Sequence, residues 1–141
     1  MLIRRILLIL LFCLSSFALK AQSLLIFGGV NHDVFLGVLN ASNMDSSSIW
    51  NAYGNYGNIY NATSIWNSYG TYGSEYSSTS PFNSYASNPP VVVDRSGNFY
   101  GYLTLNTSKK QCQHPIALAI YKYYKLIRKD VSEGYKAIFG N

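Results

Sequence analysis

The chain is poor in the side chains that most often carry chemistry. It has two histidines, His32 and His114, and two cysteines, Cys13 and Cys112, in 141 residues. The histidines lie far apart, with no thiolate pair or cluster of carboxylates beside them, so neither a metal site nor a cofactor is expected. Charged residues make up 12%, about half the usual share for a globular domain. Long apolar runs are missing too. The longest, Ile6–Leu14, falls well short of the ~20 residues that cross a bilayer. The corner Phe27-Gly28-Gly29 lacks the spacing of a phosphate-binding loop. The run from Asp94 to Asn98 lacks the later carboxylates of a calcium loop.

What is present begins with a leader. Arg4 and Arg5 precede the apolar run, Ser15 and Ser16 interrupt it, and the small Ala21 stands before Gln22. This is the layout of a signal peptide over residues 1–21, so the mature chain is expected to be periplasmic or secreted. A membrane anchor is the competing reading, and the short run argues against it. Cys13 leaves with the leader. Cys112 then has no partner for an internal disulfide and is expected to be buried and inert.

The leader also changes the charge. The whole chain is formally +5, but removing Arg4, Arg5 and Lys20 leaves eight cations against six anions. Residues 22–105 hold Arg95 against Asp33, Asp45, Asp94 and Glu75, a balance of −3, whereas residues 106–141 carry +5. A general basic surface is therefore absent, and no nucleic-acid partner is expected.

The strongest positive signal is a repeat. Residues 48–63, SIWNAYGNYGNIYNAT, match residues 64–79, SIWNSYGTYGSEYSST, at ten of sixteen positions, and a decaying third copy starts at Ser80. The aligned framework is Ser48, Ser64 and Ser80; Trp50, Trp66 and Phe82; Asn51, Asn67 and Asn83; Tyr53, Tyr69 and Tyr85; and Gly54 with Gly70. Ser80-Pro81 reads as a helix N-cap followed by a first-turn proline. Each unit is thus expected to open with a short helical turn that closes at Gly54 or Gly70 in the left-handed region. The Trp or Phe and one Tyr per unit are expected to point inward. Disorder is the competing reading for so much Ser, Asn, Gly and Tyr, but it does not require Trp in strict phase.

The flanks read as strands and helix. Residues 23–27 and 34–39 are short apolar runs joined by Gly28, Gly29 and Asn31. Residues 91–94 and 98–106 form a hairpin whose Asp94 and Gly97 mark a type I turn. Phe99, Gly101, Leu103 and Leu105 alternate with Tyr100, Tyr102 and Thr104, so this sheet is expected to be covered, at least partly, on both faces. From Pro115, the positions Ile116, Ile120, Tyr123, Ile127, Val131, Tyr135 and Ile138 recur at helical spacing, with Lys122, Lys125, Lys129 and Lys136 opposite. Gly134 weakens that helix by about 1 kcal/mol relative to Ala. The expected fold is α+β: a small β-sheet, an inserted irregular 16-residue aromatic and glycine repeat with short helical turns, and a C-terminal amphipathic helix. One domain spans 22–141, with N-terminal strands over 22–47, repeats over 48–88, the hairpin over 89–106 and the helix over 113–139.

Residues 48–79, 80–86 with 89–94, and 97–104 together resemble an uncharacterised group of secreted bacterial proteins. That group carries tandem SIWNxYGxYGSxYS units followed by a PPVVVDxxGNFYGYLT segment. The resemblance implies no particular activity or ligand.

Function is read from the aromatics. Trp50, Trp66 and the tyrosines lie on an Asn and Ser background suited to stacking sugar rings or peptide groups. The expectation is a non-enzymatic binding or interaction module of the cell envelope that recognises glycan or protein. Tyr56, Tyr60, Tyr72 and Tyr76 are the candidate ligand-binding residues. Two alternatives stand beside it: a small hydrolase using His32 and Asp33, with Asp45 or Asp94 in support, and a structural protein that self-assembles through its low-charge repeat. The basic C-terminal helix is read as a solvated face or a contact for anionic envelope lipid or polysaccharide.

Overall fold

The computed structural model describes residues 21–140. The expected leader falls outside the described residues but for Ala21. Four strands, β1 (Leu25–Gly28), β2 (Val34–Val38), β3 (Val91–Val93) and β4 (Phe99–Tyr102), form one antiparallel sheet in the order β2-β1-β3-β4. Two helices follow, α1 (Pro115–Ile127) and α2 (Val131–Phe139). The α+β architecture is as expected, with the repeat inserted between β2 and β3. Among the described residues no helix is long and apolar enough to cross a membrane.

Strand β1 is central because its alternate residues are apolar and its neighbours are close in sequence or made close by the insertion. It pairs with β2 from Leu25↔Val38 to Gly28↔Val34, and with β3 from Leu25↔Val93 to Phe27↔Val91. The β3–β4 turn closes through the Gly97 amide, which donates to the Asp94 carbonyl at 3.1 Å. Strand β4 stops at Tyr102, short of the expected 106. Beyond it the Leu103 amide makes one last hairpin bond to the Pro90 carbonyl and the Leu105 amide turns to the Pro81 carbonyl of the third repeat copy, both at 2.8 Å. Phe99 and Tyr100 stay exposed at the sheet edge, so cover of the sheet is partial.

The repeat is a stack of coils made of tight turns, with no helix in it. Backbone amides of Asn51, Gly54, Asn58, Asn61 and Ser64 each donate to the turn start before them, at Ser48, Asn51, Gly54, Asn58 and Asn61. Four three-residue steps and one four-residue step thus complete the 16-residue coil, and the second coil repeats the pattern from Ser64 to Ser80. The serines make the bond of an N-cap, but to tight turns and not to the expected helices: Ser48, Ser64 and Ser80 accept from the amides of Trp50, Trp66 and Phe82 at 3.0, 3.1 and 3.1 Å. No helix follows, because Asn51, Asn67 and Asn83 do the same to Tyr53, Tyr69 and Tyr85, at 3.1, 3.1 and 3.0 Å. Each such side chain offers the backbone a new turn in place of the next helical bond. Neither Gly54 nor Gly70 takes a positive φ. The required glycines are Gly57 and Gly73, the extra residue of each four-residue step. A Cβ there would fall on the carbonyl oxygen of Asn51 or Asn67.

The core runs along the coil axis. Trp50, Trp66 and Phe82 are buried and adjacent, with ring centroids 5.5 and 5.9 Å apart. The indole N–H groups donate to the carbonyls of Leu39 and Ile49 at 2.8 and 2.7 Å, so neither polar edge is stranded. Helix α1 extends the column with Tyr124, stacked on Phe82, and α2 closes the other end with Tyr135 and Phe139 against Trp50.

The expected single C-terminal helix is two. His114 caps α1, its Nδ1 accepting from the Ile116 amide at 3.1 Å. Asp130 caps α2, its carboxylate accepting from the Glu133 amide at 3.2 Å. Gly134 is where α2 crosses α1: a Cβ would lie 3.0 Å from Ile127 Cγ1. Its helix cost is offset by this close approach. Tyr124, rather than the expected Tyr123, faces the repeat; Tyr123 is exposed.

Candidate functional site

Turn chemistry decides which tyrosines face water. The third residues of the first four turns of a coil run core, solvent, half-buried, solvent. Trp50 and Trp66 are inside, and Tyr56 lies half-buried with its ring edge-on to Phe35 at 4.9 Å. Tyr72, its equivalent, packs half-buried on the core. Between them Tyr53, Tyr69 and Tyr85 are 95%, 99% and 89% exposed, and Tyr60 and Tyr76 are 85% and 91% exposed.

This corrects the reading of the repeat in two places. Tyr53, Tyr69 and Tyr85, expected as framework, point into solvent. The inward tyrosines are Tyr56 and Tyr72, two of the four candidate ligand residues. Tyr60 and Tyr76 are exposed as that role requires.

The coil begins earlier than residue 48. Ser42 and Asp45 repeat the turn chemistry, accepting from the amides of Met44 and Ser47 at 3.2 and 2.9 Å. Met44 thereby occupies the position of Tyr60 and Tyr76 one coil earlier, and it is 85% exposed. The three-residue spacing of Ser42, Asp45 and Ser48 is the signal that could have revealed it.

Two concavities then show how the exposed rings are arranged. One, of about 390 Å³, lies between Tyr76 and Tyr85 over Phe82, Asn83 and Ser84. The other, of about 230 Å³, lies between Met44 and Tyr53 over Trp50, Asn51 and Ala52. These residues differ by two full repeats, position for position. The same register sets Tyr60 and Tyr69 on either side of Trp66, Asn67 and Ser68 in the coil between. The strip between the two parallel rows, Met44–Tyr60–Tyr76 and Tyr53–Tyr69–Tyr85, is termed the trough; it is concave at its two ends, where α1 adds Tyr124 and Lys125 to the lining and α2 adds Ser132.

The trough floor is polar but internally satisfied. The Asn51, Asn67 and Asn83 side-chain amides donate to the carbonyls of Asp45, Asn61 and Ser77 at 3.2, 3.2 and 3.1 Å. Charge enters at one end only. Glu75 there accepts from Arg128 and from the Tyr124 hydroxyl, each at 2.9 Å. Burial and the Glu75 carboxylate together push the Tyr124 hydroxyl above its ordinary pKa. Lys125 lines the same end.

The residues of the hydrolase alternative do not come together. His32 Nε2 pairs with the Pro89 carbonyl at 3.0 Å, and Asp33 is exposed. Asp45 is held in its own turn, where the Ser47 amide and then its hydroxyl lower its pKa. Asp94 organises the β3–β4 turn, accepting from Ser96, Asn98 and Tyr100; the Asn98 side-chain amide is the largest influence lowering its pKa. Cys112 is buried, and that burial raises its thiol pKa. Among the described residues no three His, Cys, Asp or Glu side chains are grouped to hold a metal ion.

No family model, curated protein or solved structure matches the chain.

Proposed function

We propose that the protein is an exported, non-enzymatic binding module of the cell envelope that holds an extended partner in the tyrosine trough. The observation that carries this reading is the pair of exposed aromatic rows on one side of a rigid coil stack. Large apolar rings kept in water are the informative exception on a folded surface. Five tyrosines at least 85% exposed, in register over successive coils, form such a patch. The turns that place them are fixed by side-chain caps, so the rings are presented with little freedom left to lose on binding.

Self-assembly has less support. The aromatic column that would stack end to end is covered at both ends, by Tyr124 and by Tyr135 with Phe139.

The test is capture from a solubilised envelope extract on immobilised protein. Polymeric material, carbohydrate or protein, is expected to be retained, and retention is expected to disappear in the Tyr60→Ala, Tyr69→Ala double variant. Both side chains lie in solvent, so far-ultraviolet circular dichroism should be unchanged. Equal retention by the variant rejects the trough as the binding site.

A further inference from the structure

We infer that the occupant of the trough is a neutral, unbranched polysaccharide running along the coil axis, its sugar rings stacked on successive tyrosine rungs. This rests on the binding-module reading above and adds the chemical class of the ligand.

The first step excludes a peptide strand. A peptide that adds as a strand needs free backbone donors and acceptors at the edge it joins. The trough has few to offer. The amides of Tyr53, Tyr69, Tyr76 and Tyr85 are donated to side-chain oxygens of Asn51, Asn67, Ser74 and Asn83. The carbonyls of Asn51, Asn67 and Asn83 accept from Gly54, Gly70 and Ala86 at 3.0 Å each. A peptide laid here would leave its own polar backbone without partners along its buried side. A sugar chain has no such demand, since its hydroxyls point outward to water from the ring edge while its apolar ring face lies flat on an aromatic.

The second step concerns charge. The lining between Met44 and Tyr53 contains no ionised side chain; at the other end Glu75 is already paired with Arg128, and Lys125 is the single further charge. The surrounding segment, residues 22–105, carries −3. Nucleic acids and acidic polysaccharides would meet this balance unfavourably over the length of the trough. A neutral chain would not.

The third step concerns spacing. Successive coils advance by one stacked ring, with centroids 5.5 and 5.9 Å apart in the buried column. The exposed tyrosines recur once per coil at the same 16-residue period. A linear chain running along the coil axis therefore meets one exposed tyrosine of each complete row per coil.

The experiment is affinity electrophoresis of the mature protein through native gels. The gels hold, in turn, hydroxyethylcellulose, mixed-linkage β-glucan, linear mannan, dextran, alginate and gelatin. Retardation is expected in at least one neutral unbranched glycan, unchanged at about 0.5 M salt. Retention should weaken roughly three- to tenfold for each of Tyr60→Ala and Tyr69→Ala, and Tyr60→Phe should keep it. With oligosaccharides of the retaining glycan, affinity should rise with length and level off once the chain outruns the three rungs of a row. Retardation by gelatin alone, lost in the same variants, would overturn the glycan assignment while keeping the binding module. Retardation by alginate that vanishes with salt would overturn neutrality. A protein unaffected by every neutral glycan, or retained equally by both alanine variants, overturns the inference.

Discussion

The ring of Tyr124 lies face to face on Phe82, with centroids 4.5 Å apart and planes within 4°. This contact joins the basic helix to the last coil, and two polar bonds lock it. The Tyr124 hydroxyl and the Arg128 guanidinium both donate to Glu75, each at 2.9 Å, and Arg128 also lies over the Tyr124 ring at 5.0 Å. Glu75 is the only acidic residue of the repeats from 48 to 88, and it stands where the first copy has Ile59. The exception to the repeat is thus the residue that docks the helix. Hydrogen bonds to an ionised acceptor contribute about 1.5–3 kcal/mol where water is excluded, less here because Glu75 is about one third exposed. Tyr124→Phe, which keeps the stack, should therefore cost about 1 kcal/mol in urea denaturation. Combined with Glu75→Gln, its effect should be smaller than the sum of the single changes. Strict additivity would show that the two groups are not coupled.

Trp66 and Tyr69 are three residues apart in one coil and have opposite fates. Trp66 is fully buried with its indole bonded to Ile49, and Tyr69 is 99% exposed. Trp66→Ala should cost about 3–5 kcal/mol, from lost burial and the cavity left behind. Tyr69→Ala should stay within about 0.5 kcal/mol. Melting curves of the two variants check this, and a large loss for Tyr69→Ala would mean that its ring is part of the core.

These opposite fates mark the limit of what could be read from the residues. The 16-residue period was legible because Trp, Asn and Tyr recur in phase. The turn structure beneath it was not, because Gly57 and Gly73 add one residue per coil and hide the three-residue step. A serine cap looks the same before a helix and before a tight turn; the asparagine three residues on decides, by starting the next turn. Tyr53 and Tyr56 have similar neighbours in sequence, and the distant Phe35 and Gly37, against which Tyr56 packs, are not visible there. The helix break was masked by spacing that continues through it, since Ile127, Val131 and Tyr135 face the core on either side of Asp130. The sheet was legible in its strands but not in where β4 ends, because Pro90 has no amide to return the Leu103 bond and the Leu105 amide takes Pro81 as its partner.

His114 ties stability to pH. Its Nδ1 can accept from the Ile116 amide only while the ring is unprotonated at that nitrogen, and burial lowers its pKa from 6.5. A depressed histidine means that the unfolded chain binds the proton first. Stability from this cap is therefore fully present above 6.5 and is lost as pH falls towards the lower folded-state value. Below that value both states are protonated and the loss levels off. Asparagine is a strong N-cap that does not titrate in this range. Urea midpoints of the wild type and His114→Asn, compared at about pH 7.5 and about pH 5.5, should differ in their pH dependence. The wild type should lose more stability on acidification than the variant, with the two close at the higher pH. An equal loss in both would place the acid sensitivity elsewhere and show that the cap tolerates a protonated ring.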